Sequence, residues 1–432
     1  MTLGARAARL RFWPGLSAVV VLALVVRVLV VVGTPSFVPQ TDASDYDRIA
    51  VSLSSDGVFP PSLLAPHSPT AFRPPLFPML LAGADEVLGS DPSTRWIGGR
   101  LLEAVLGAGA VALISLIAVR LWGPGVALLA GAIAAASPPL ILVGSSLMSE
   151  SLFIPLVLGA VLAALVYRDS PGRWRWAILS GVLAGLATLT HGNGIMLVVA
   201  LALLVLTGGS RRGWASLRAP AIIVAAAAAL TLAPWTIRNL HAFGQIDPVT
   251  TQTGYALAGV YNSQAAGATG SPALWHTPVA GMRAALHREP NLDEAQLSDR
   301  LRAMALHYIG SHPLYPLQVM FWSAARMLNL TGAGYELQNA AVEAYPRWLT
   351  RISVYAFWLL GLLAIAGAIG EALAHRAPRA LWACPLLVLL PSVLTLGDTR
   401  YRSPADPFLV ILGALGALAT ARRIRTLAHV SG

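Results

Sequence analysis

Long apolar runs that contain almost no charge constrain this chain more than any other feature. About ten such runs, of about 15 to 23 residues each, follow one another along the sequence, and a helix of about 20 apolar residues crosses a bilayer. They begin near Pro14, Ile97, Pro124, Leu147, Trp176, Gly192, Ala219, Ser353, Ala380 and Pro404. Charged residues make up only 12% of the 432 positions, about half the share of a soluble domain. The runs predict an all-α polytopic membrane protein with about 10 transmembrane helices.

The composition limits the chemistry that this chain can perform. Its one cysteine, Cys384, lies inside an apolar run, which excludes an intramolecular disulfide, a thiolate metal cluster and a CxxC redox site. All 30 basic residues are arginine, a side chain that binds phosphate with two parallel hydrogen bonds. The reactive groups must therefore be aspartate, glutamate, histidine and arginine.

The distribution of arginine predicts the orientation in the membrane. Half of the arginines fall on one side when the apolar runs simply alternate, and the positive-inside rule assigns that side to the cytoplasm. They are Arg6, Arg9, Arg11, Arg120, Arg168, Arg173, Arg175, Arg211, Arg212, Arg218, Arg376, Arg379, Arg422, Arg423 and Arg425. Both termini are then cytoplasmic.

This orientation divides the chain into three parts. Residues 1–236 form a module of seven spans, which contains a first extracytoplasmic loop at 34–96. Residues 237–349 form a second extracytoplasmic loop region with the only soluble-like composition, and residues 350–432 form a module of three spans. In the second loop, the segment from Asn291 predicts a capped helix that runs through Leu306.

The first outer loop carries charged residues beside helix-forming segments. Asp42 and Asp45 lie in a short stretch of helical spacing, so a capped surface helix with solvated acids competes with a functional acidic cluster. The apolar stretch from Pro74 to Leu88 predicts a juxtamembrane or re-entrant helix. Arg73, directly before it, is either an arginine held at the level of the lipid headgroups or a site residue.

Ionisable residues at the spans are further candidates, because charge is costly inside a membrane. Glu150 begins the fourth span, and His191 stands between two short spans, where a structural histidine is more common than a ligand. Arg27 and Glu103 lie in the outer halves of the first two spans. A structural ion pair between them is as good an interpretation as a functional one.

Two late segments place arginine on the outer side, where the positive-inside rule does not explain it. Arg238 ends the seventh span, and Arg400 and Arg402 flank Tyr401 between the last two spans. Two guanidinium groups so close together indicate a bound anion such as a lipid phosphate.

Taken in order, these segments resemble the bacterial members of the GT-C superfamily, the polytopic glycosyltransferases that use polyprenyl-phosphate sugars. The likeness is greatest to the protein mannosyltransferases and the lipid A aminoarabinose transferases. The matching elements are Asp42 with Tyr46, Pro74–Pro78, Arg100, Glu150, Pro234–Asn239 and Arg400–Pro407. The chain departs from the family at Glu150, where Asp is more usual, and at His191, where relatives often have Arg or Lys.

The resemblance implies a membrane glycosyltransferase that moves a sugar from a polyprenyl-phosphate donor to a protein, glycan or lipid acceptor, with inversion at the anomeric carbon. Asp42 is implied as the base, and Asp45 and Glu150 as further catalytic residues. The implied ligands of the donor phosphate are Arg73, His191, Arg238, Arg400, Tyr401 and Arg402.

The same resemblance sets the expected partners and location. The expected partners are the lipid-linked donor, an extracytoplasmic acceptor and the lipid bilayer, and no nucleic acid. The expected location is the cell (inner) membrane, with the active site on the extracytoplasmic face. No metal ligand is assigned and no cofactor is certain. A divalent cation stays open, although Ala43 after Asp42, where many relatives have Glu, weakens the case for it.

Other classes of protein also fit part of the pattern. A transporter or flippase of a lipid-linked solute needs many spans and buried charges, but here the acids gather at the outer face and no inverted repeat is visible. A binding or assembly protein without catalysis is a second alternative. A GT-C enzyme with another reaction, such as an oligosaccharide transferase or an envelope polymerase, is a third.

Overall fold

The computed structural model describes residues 3–207, 214–270, 272–342 and 344–430. These residues fold into twenty α-helices and one short 3-10 helix, with no β-strand among them. The prediction of an all-α protein is therefore confirmed. Arg211 and Arg212, together with the side chains of Arg6, Arg9, Arg11 and Arg425, lie outside what the structure describes.

The first part of the chain contains the long apolar helices and the first loop. Its helices are α1 (Leu3–Val32), α2 (Thr41–Asp56), α3 (Leu76–Leu88), α4 (Pro92–Trp122), α5 (Pro124–Ala136), α6 (Pro138–Val143), α7 (Glu150–Asp169), α8 (Trp174–Thr190), α9 (Gly194–Leu206) and α10 (Trp214–Phe243). Helix α3 covers most of the segment for which a juxtamembrane helix is predicted.

The second loop is made of short helices, and the last part of the chain returns to long apolar ones. The loop contains α11 (Gln252–Val260), α12 (Ser263–Ala266), α13 (Val279–Arg288), α14 (Glu294–Ser311), α15 (Tyr315–Met327) and α16 (Ala333–Val342). The last part contains α17 (Arg347–Ala374), a 3-10 turn (Arg379–Trp382), α18 (Ala383–Leu394), α19 (Thr399–Arg402) and α20 (Asp406–Val430).

A helix stands at each predicted span, and the chain is a multi-pass membrane protein. Five helices of the described residues are long and apolar enough to cross a membrane, within α1, α4, α7, α10 and α17. Helices α5, α9 and α18 are apolar but shorter. The number of ten spans therefore stays a prediction.

Small residues let the long helices pack closely. A side chain at Gly181 or Gly185 of α8 would collide with the backbone of α10, and one at Gly367 of α17 would collide with α20. Such close approach drives helix association in lipid, where apolar burial alone gives no preference for protein over lipid. The largest buried cluster joins α1, α4, α5, α7, α8, α9 and α20.

Three details differ from the sequence predictions. Helix α10 continues past Pro234 to Phe243, into the predicted loop region. Helix α14 begins at Glu294, three residues after the predicted start, because Asp293 is its N-cap and forms a capping box with Gln296. It also extends beyond Leu306, to Ser311.

The structural ion pair between Arg27 and Glu103 is not formed. Arg27 donates from Nη1 to the carbonyl oxygen of Ala23. The Glu103 carboxylate instead accepts the backbone N–H groups of Leu147, at 2.8 Å, and Met148, at 2.7 Å. Glu103 thus holds the turn that precedes α7, and this turn carries part of the site described next.

Candidate active site

Helix α2 places the first acidic residues at the site. Its apolar face, with Ala43 and Tyr46, packs on α3, where the ring of Tyr46 meets Phe77 edge to face at 5.1 Å. Asp42 lies in the first turn of α2, where the positive end of the helix dipole favours a carboxylate. The preceding Thr41 has a left-handed backbone with φ of 46°, a strained conformation of the kind that collects at functional sites.

Two guanidinium groups hold the Asp42 carboxylate. Arg73 donates from Nη2 to Oδ1 at 2.6 Å, and Arg400 donates from Nη2 to Oδ2 at 2.5 Å. Burial alone would raise the pKa of Asp42, but the charges and hydrogen bonds of the two arginines outweigh it and hold that pKa well below its ordinary value. Asp42 is therefore ionised at neutral pH.

Arg400 also joins Asp42 to the second candidate acid. Its Nε lies 3.1 Å from Oε1 of Glu150, which begins α7 and is almost fully buried. Tyr46 donates to the Ser149 hydroxyl at 3.0 Å, and that hydroxyl lies 3.4 Å from Oε2 of Glu150. Burial raises the pKa of Tyr46 to about 12, so its hydroxyl remains a donor.

Arg73 is positioned by contacts with the second outer loop. The buried Glu294 carboxylate accepts from the Thr70 hydroxyl at 2.8 Å, from the Ala71 N–H at 2.7 Å and from the Thr251 hydroxyl at 2.6 Å. These bonds fix the segment before Arg73 against α14. Sequence reasoning missed the role of Glu294, since its partners are far away in the chain and an isolated glutamate in a loop carries no pattern.

The charged residues border a cavity of about 420 Å³, here called the outer cavity. Its lining includes four of the predicted catalytic or phosphate-binding residues besides Asp42: Arg73, His191, Arg400 and Tyr401. Its lining also includes residues from the segment after α2, from α11 and from the segment after α12, among them Phe72, Tyr255 and Trp275. This volume lies within the range of small-ligand pockets.

His191 and Tyr401 lie in contact with each other, next to Arg400, in the lining of the outer cavity. Their rings meet edge to face at 6.0 Å, and the Tyr401 hydroxyl accepts from Arg400 Nη2 at 2.7 Å. His191 Nδ1 accepts the Asn193 N–H at 3.4 Å, which leaves Nε2 to carry the proton. Burial lowers the pKa of His191, so the ring is a neutral hydrogen-bond donor rather than a cation.

The structure does not bring every predicted site residue into the outer cavity. Asp45 lies beside it and pairs with Arg73 and Arg48, both at 2.9 Å. Arg238 is packed among the rings of Phe59, Trp235 and Phe243. Neither residue lines the cavity.

Arg402 is also placed elsewhere, although it is close to Arg400 in sequence. Its Nε donates to Oδ1 of Asp406 at 2.8 Å, its Nη1 donates to the carbonyl oxygen of Met327, and its guanidinium lies 3.5 Å from the ring centroid of Phe357. The side chain is almost fully buried. It has a structural environment, separate from the residues around Asp42.

The site offers no preformed metal centre. Within the described residues, no three His, Cys, Asp or Glu side chains converge as metal ligands. Both oxygens of Asp42 already accept from guanidinium groups, so a cation there would have to displace an arginine. The positive charge of the site comes from Arg73 and Arg400.

Comparisons with known proteins agree first on the class of fold. Residues 72–237 match the family model for dolichyl-phosphate-mannose-protein mannosyltransferases. The whole chain is similar to the oligosaccharyltransferase of Archaeoglobus fulgidus in its apo form, with a TM-score of 0.58 and 13% identity over 96% of this chain. The resemblance to the GT-C superfamily is confirmed, and the family match agrees with a membrane glycosyltransferase.

Two further structures belong to particular enzymes with lipid ligands. The same archaeal protein, AglB, in complex with an inhibitory peptide and a dolichol-phosphate, has a TM-score of 0.56 and 14% identity, with 97% of this chain and 52% of that chain covered. ArnT from Cupriavidus metallidurans, bound to undecaprenyl phosphate, has a TM-score of 0.41 and 16% identity, with 93% and 77% covered. This chain spans about half the length of the archaeal enzyme. No curated protein sequence matches it.

Proposed function

We propose that this protein is a GT-C glycosyltransferase that takes a sugar from a polyprenyl-phosphate donor in the outer leaflet and moves it to an extracytoplasmic acceptor. One observation carries the proposal: an ionised carboxylate and two arginines share one cavity, and they come from distant parts of the chain. Sugar transfer from a lipid phosphate needs a base for the acceptor and positive charge for the leaving phosphate. The Asp42 carboxylate supplies the base, and Arg73 and Arg400, which both contact it, supply the positive charge.

Arg73 and Arg400 are the groups that meet the departing phosphate. Each guanidinium has several N–H donors in a fixed plane, which suits phosphate oxygens. His191 also lines the cavity and adds a neutral donor. The Tyr401 hydroxyl accepts a hydrogen bond from Arg400 and so helps to position it. As the bond from the anomeric carbon to the phosphate oxygen breaks, its electron pair moves to the phosphate, where these donors stabilise the added charge.

Asp42 accepts the proton of the acceptor hydroxyl while the new bond from oxygen to the anomeric carbon forms. In the free protein two arginines make Asp42 a weak base. A donor phosphate competes for the same guanidinium groups, so its binding loosens their hold on Asp42 and raises the basicity of the carboxylate. The base is thus activated when the donor is in place. Attack from the side opposite the phosphate gives inversion.

The similarity to a structure that holds a dolichol-phosphate supports a lipid-phosphate donor. The match of residues 72–237 to a family of mannosyltransferases supports sugar transfer, and this range contains Arg73 and Glu150. A transporter of lipid-linked solutes has no support among these comparisons. The acceptor is a protein, a glycan or a lipid.

The assay that tests this function compares Asp42→Asn with wild type, in detergent, with synthetic polyprenyl-phosphate sugar as donor. Loss of a general base costs about 10²- to 10⁴-fold, so we expect turnover to fall by at least about 100-fold. Asp47→Asn is the matched control, because Asp47 lies on the same helix and pairs with Arg95 at 2.8 Å, outside the cavity. Near wild-type transfer by Asp42→Asn, with Asp45→Asn inactive, would contradict the assignment.

We also propose that the outer cavity faces away from the cytoplasm and that both termini are cytoplasmic, on the basis of the arginine asymmetry. Cysteine labelling tests this orientation, because the native Cys384 is fully buried. Ser44→Cys, on the exposed side of α2, should react with an impermeant reagent in intact cells. Arg376→Cys, in the exposed turn after α17, should react only in inside-out vesicles. The reverse pattern would overturn the topology.

A further inference from the structure

We propose that the outer cavity contains a sugar-ring subsite, formed by an aromatic wall of Phe72, Tyr255 and Trp275. The inference rests on the proposed function and names the chemistry of the second half of the same site. The three rings form a continuous row: Phe72 meets Tyr255 at 5.3 Å, and Tyr255 meets Trp275 at 5.3 Å between ring centroids. All three line the cavity and all three are partly exposed.

The wall begins beside the proposed base. The Arg73 guanidinium lies 5.1 Å from the ring centroid of Phe72 and donates to Asp42 at 2.6 Å. A ligand that lies on the aromatic rings therefore shares the cavity with the Asp42 carboxylate. The phosphate-binding donors, Arg400 and His191, line the same cavity.

The chemistry of the wall suits a carbohydrate. Aromatic faces carry a negative quadrupole and attract the weakly positive C–H groups of a sugar ring. Polar side chains at the edge of the wall, Gln252 and Thr277, line the same cavity and can hydrogen-bond to hydroxyl groups. An apolar face bordered by hydrogen-bonding groups matches the two kinds of surface that one sugar ring presents.

Close contacts made by the second outer loop fix the positions of the rings in the aromatic wall. Trp275 lies so close to Gly259 of α11 that a side chain at position 259 would overlap its indole ring. Thr250 donates to the carbonyl oxygen of Phe72 at 2.5 Å, which ties the first ring to the same loop. The wall is thus assembled from two loops that are distant in sequence, and each ring has a fixed support.

The ring that binds there belongs either to the donor or to the acceptor, and the test distinguishes the two. Binding of methyl hexopyranosides and methyl pentosides to the full chain in detergent is measured by saturation-transfer NMR. The measurement is repeated with saturating polyprenyl phosphate and with saturating polyprenyl-phosphate sugar. Competition by the second lipid alone assigns the wall to the donor sugar. Binding that persists with both lipids assigns it to the acceptor sugar.

The variants Tyr255→Ala and Trp275→Ala should weaken glycoside binding by about tenfold, which corresponds to about 1.4 kcal/mol for the loss of one aromatic contact. Trp275→Phe keeps a ring and should retain most of the binding. Tyr355→Ala is the control, because Tyr355 is 58% exposed on α17 and does not line the cavity. Folding is checked in each sample by binding of polyprenyl phosphate.

Two results would overturn the subsite. One is the failure of every glycoside to bind while polyprenyl phosphate binds, and the other is equal binding by wild type and both alanine variants. In either case the proposed glycosyltransferase function stands, because it depends on Asp42, Arg73 and Arg400 and not on the aromatic wall. Failure of polyprenyl phosphate itself to bind would instead count against the proposed function.

Discussion

Arg400 and Arg402 belong to the same short helix, α19, and both are buried, yet their surroundings differ. Arg400 is shared between Asp42 and Glu150 and lines the outer cavity. Arg402 is bound by Asp406 on α20 and by a backbone carbonyl, and its guanidinium lies against the ring of Phe357. The first arginine connects two candidate catalytic acids beside a space large enough for a ligand. The second connects parts of the protein to each other.

The difference teaches how to separate a ligand-binding arginine from a structural one in a membrane protein. Charge and sequence position are almost the same for the two residues. What differs is whether the partner carboxylate itself borders the outer cavity: Asp42 does, whereas Asp406 does not. Of these two arginines, only Arg400 is placed to exchange a protein carboxylate for the phosphate of the proposed donor.

The largest expected effect concerns stability, at Arg402. Arg402→Leu leaves the Asp406 carboxylate buried without its partner, and breaking such a pair costs about 3 to 5 kcal/mol. We expect a marked loss of thermal stability in detergent, while the KM for donor of the fraction that remains folded stays close to that of wild type. A large rise of that KM, at unchanged stability, would remove the distinction between the two arginines.

A smaller effect is expected for turnover at Arg400. Arg400→Lys keeps the positive charge. A lysine ammonium lacks the planar set of N–H donors with which a guanidinium can contact Asp42, Glu150 and a phosphate together. The loss of one charge-assisted hydrogen bond, about 1.5 to 3 kcal/mol, predicts about a 10- to 150-fold fall in kcat/KM for the donor. Arg302→Lys, at an exposed pair with Asp299, is the control. Unchanged donor kinetics in Arg400→Lys and in Arg400→Ala would remove Arg400 from the site.

The smallest effect is a shift of the pH profile. The pKa of Asp42 is held low by Arg73 and Arg400, so the base of the free protein stays ionised as the pH falls. Removal of one positive charge in Arg400→Gln raises that pKa toward the ordinary value near 4. Activity requires the ionised form, so the acidic limb of kcat/KM should move to higher pH in the variant. An acidic limb at the same pH in both proteins would show that it does not report Asp42.

Much of the helical framework can be predicted from the sequence, because a membrane span is defined by a local apolar run. The end of α10 is an exception, since a proline inside a membrane helix is tolerated where neighbouring groups satisfy the backbone. Helix α14 starts later than predicted for a local reason, because Asp293 forms the capping box with Gln296.

The site was predictable only in part. The order of the motifs predicts that Asp42, Arg73 and Arg400 lie on the same side of the membrane. It does not give the direction of each side chain. Residues two apart on a helix point about 200° away from each other, and of the two arginines only Arg400 lines the outer cavity. Glu294 and the aromatic wall depend on contacts between the two loops, which no local pattern of residues encodes.

The ion pair between Asp42 and Arg400 joins residues that are 358 positions apart, which has a consequence for how the protein is made. Chains are synthesised from the N-terminus at about 5 to 20 residues per second, so Asp42 reaches the membrane well before Arg400 exists. Until α19 arrives, Asp42 has one arginine instead of two and the cavity lacks one of its sides. A nascent or truncated chain without α19 therefore lacks one of the two arginines proposed to bind the donor phosphate.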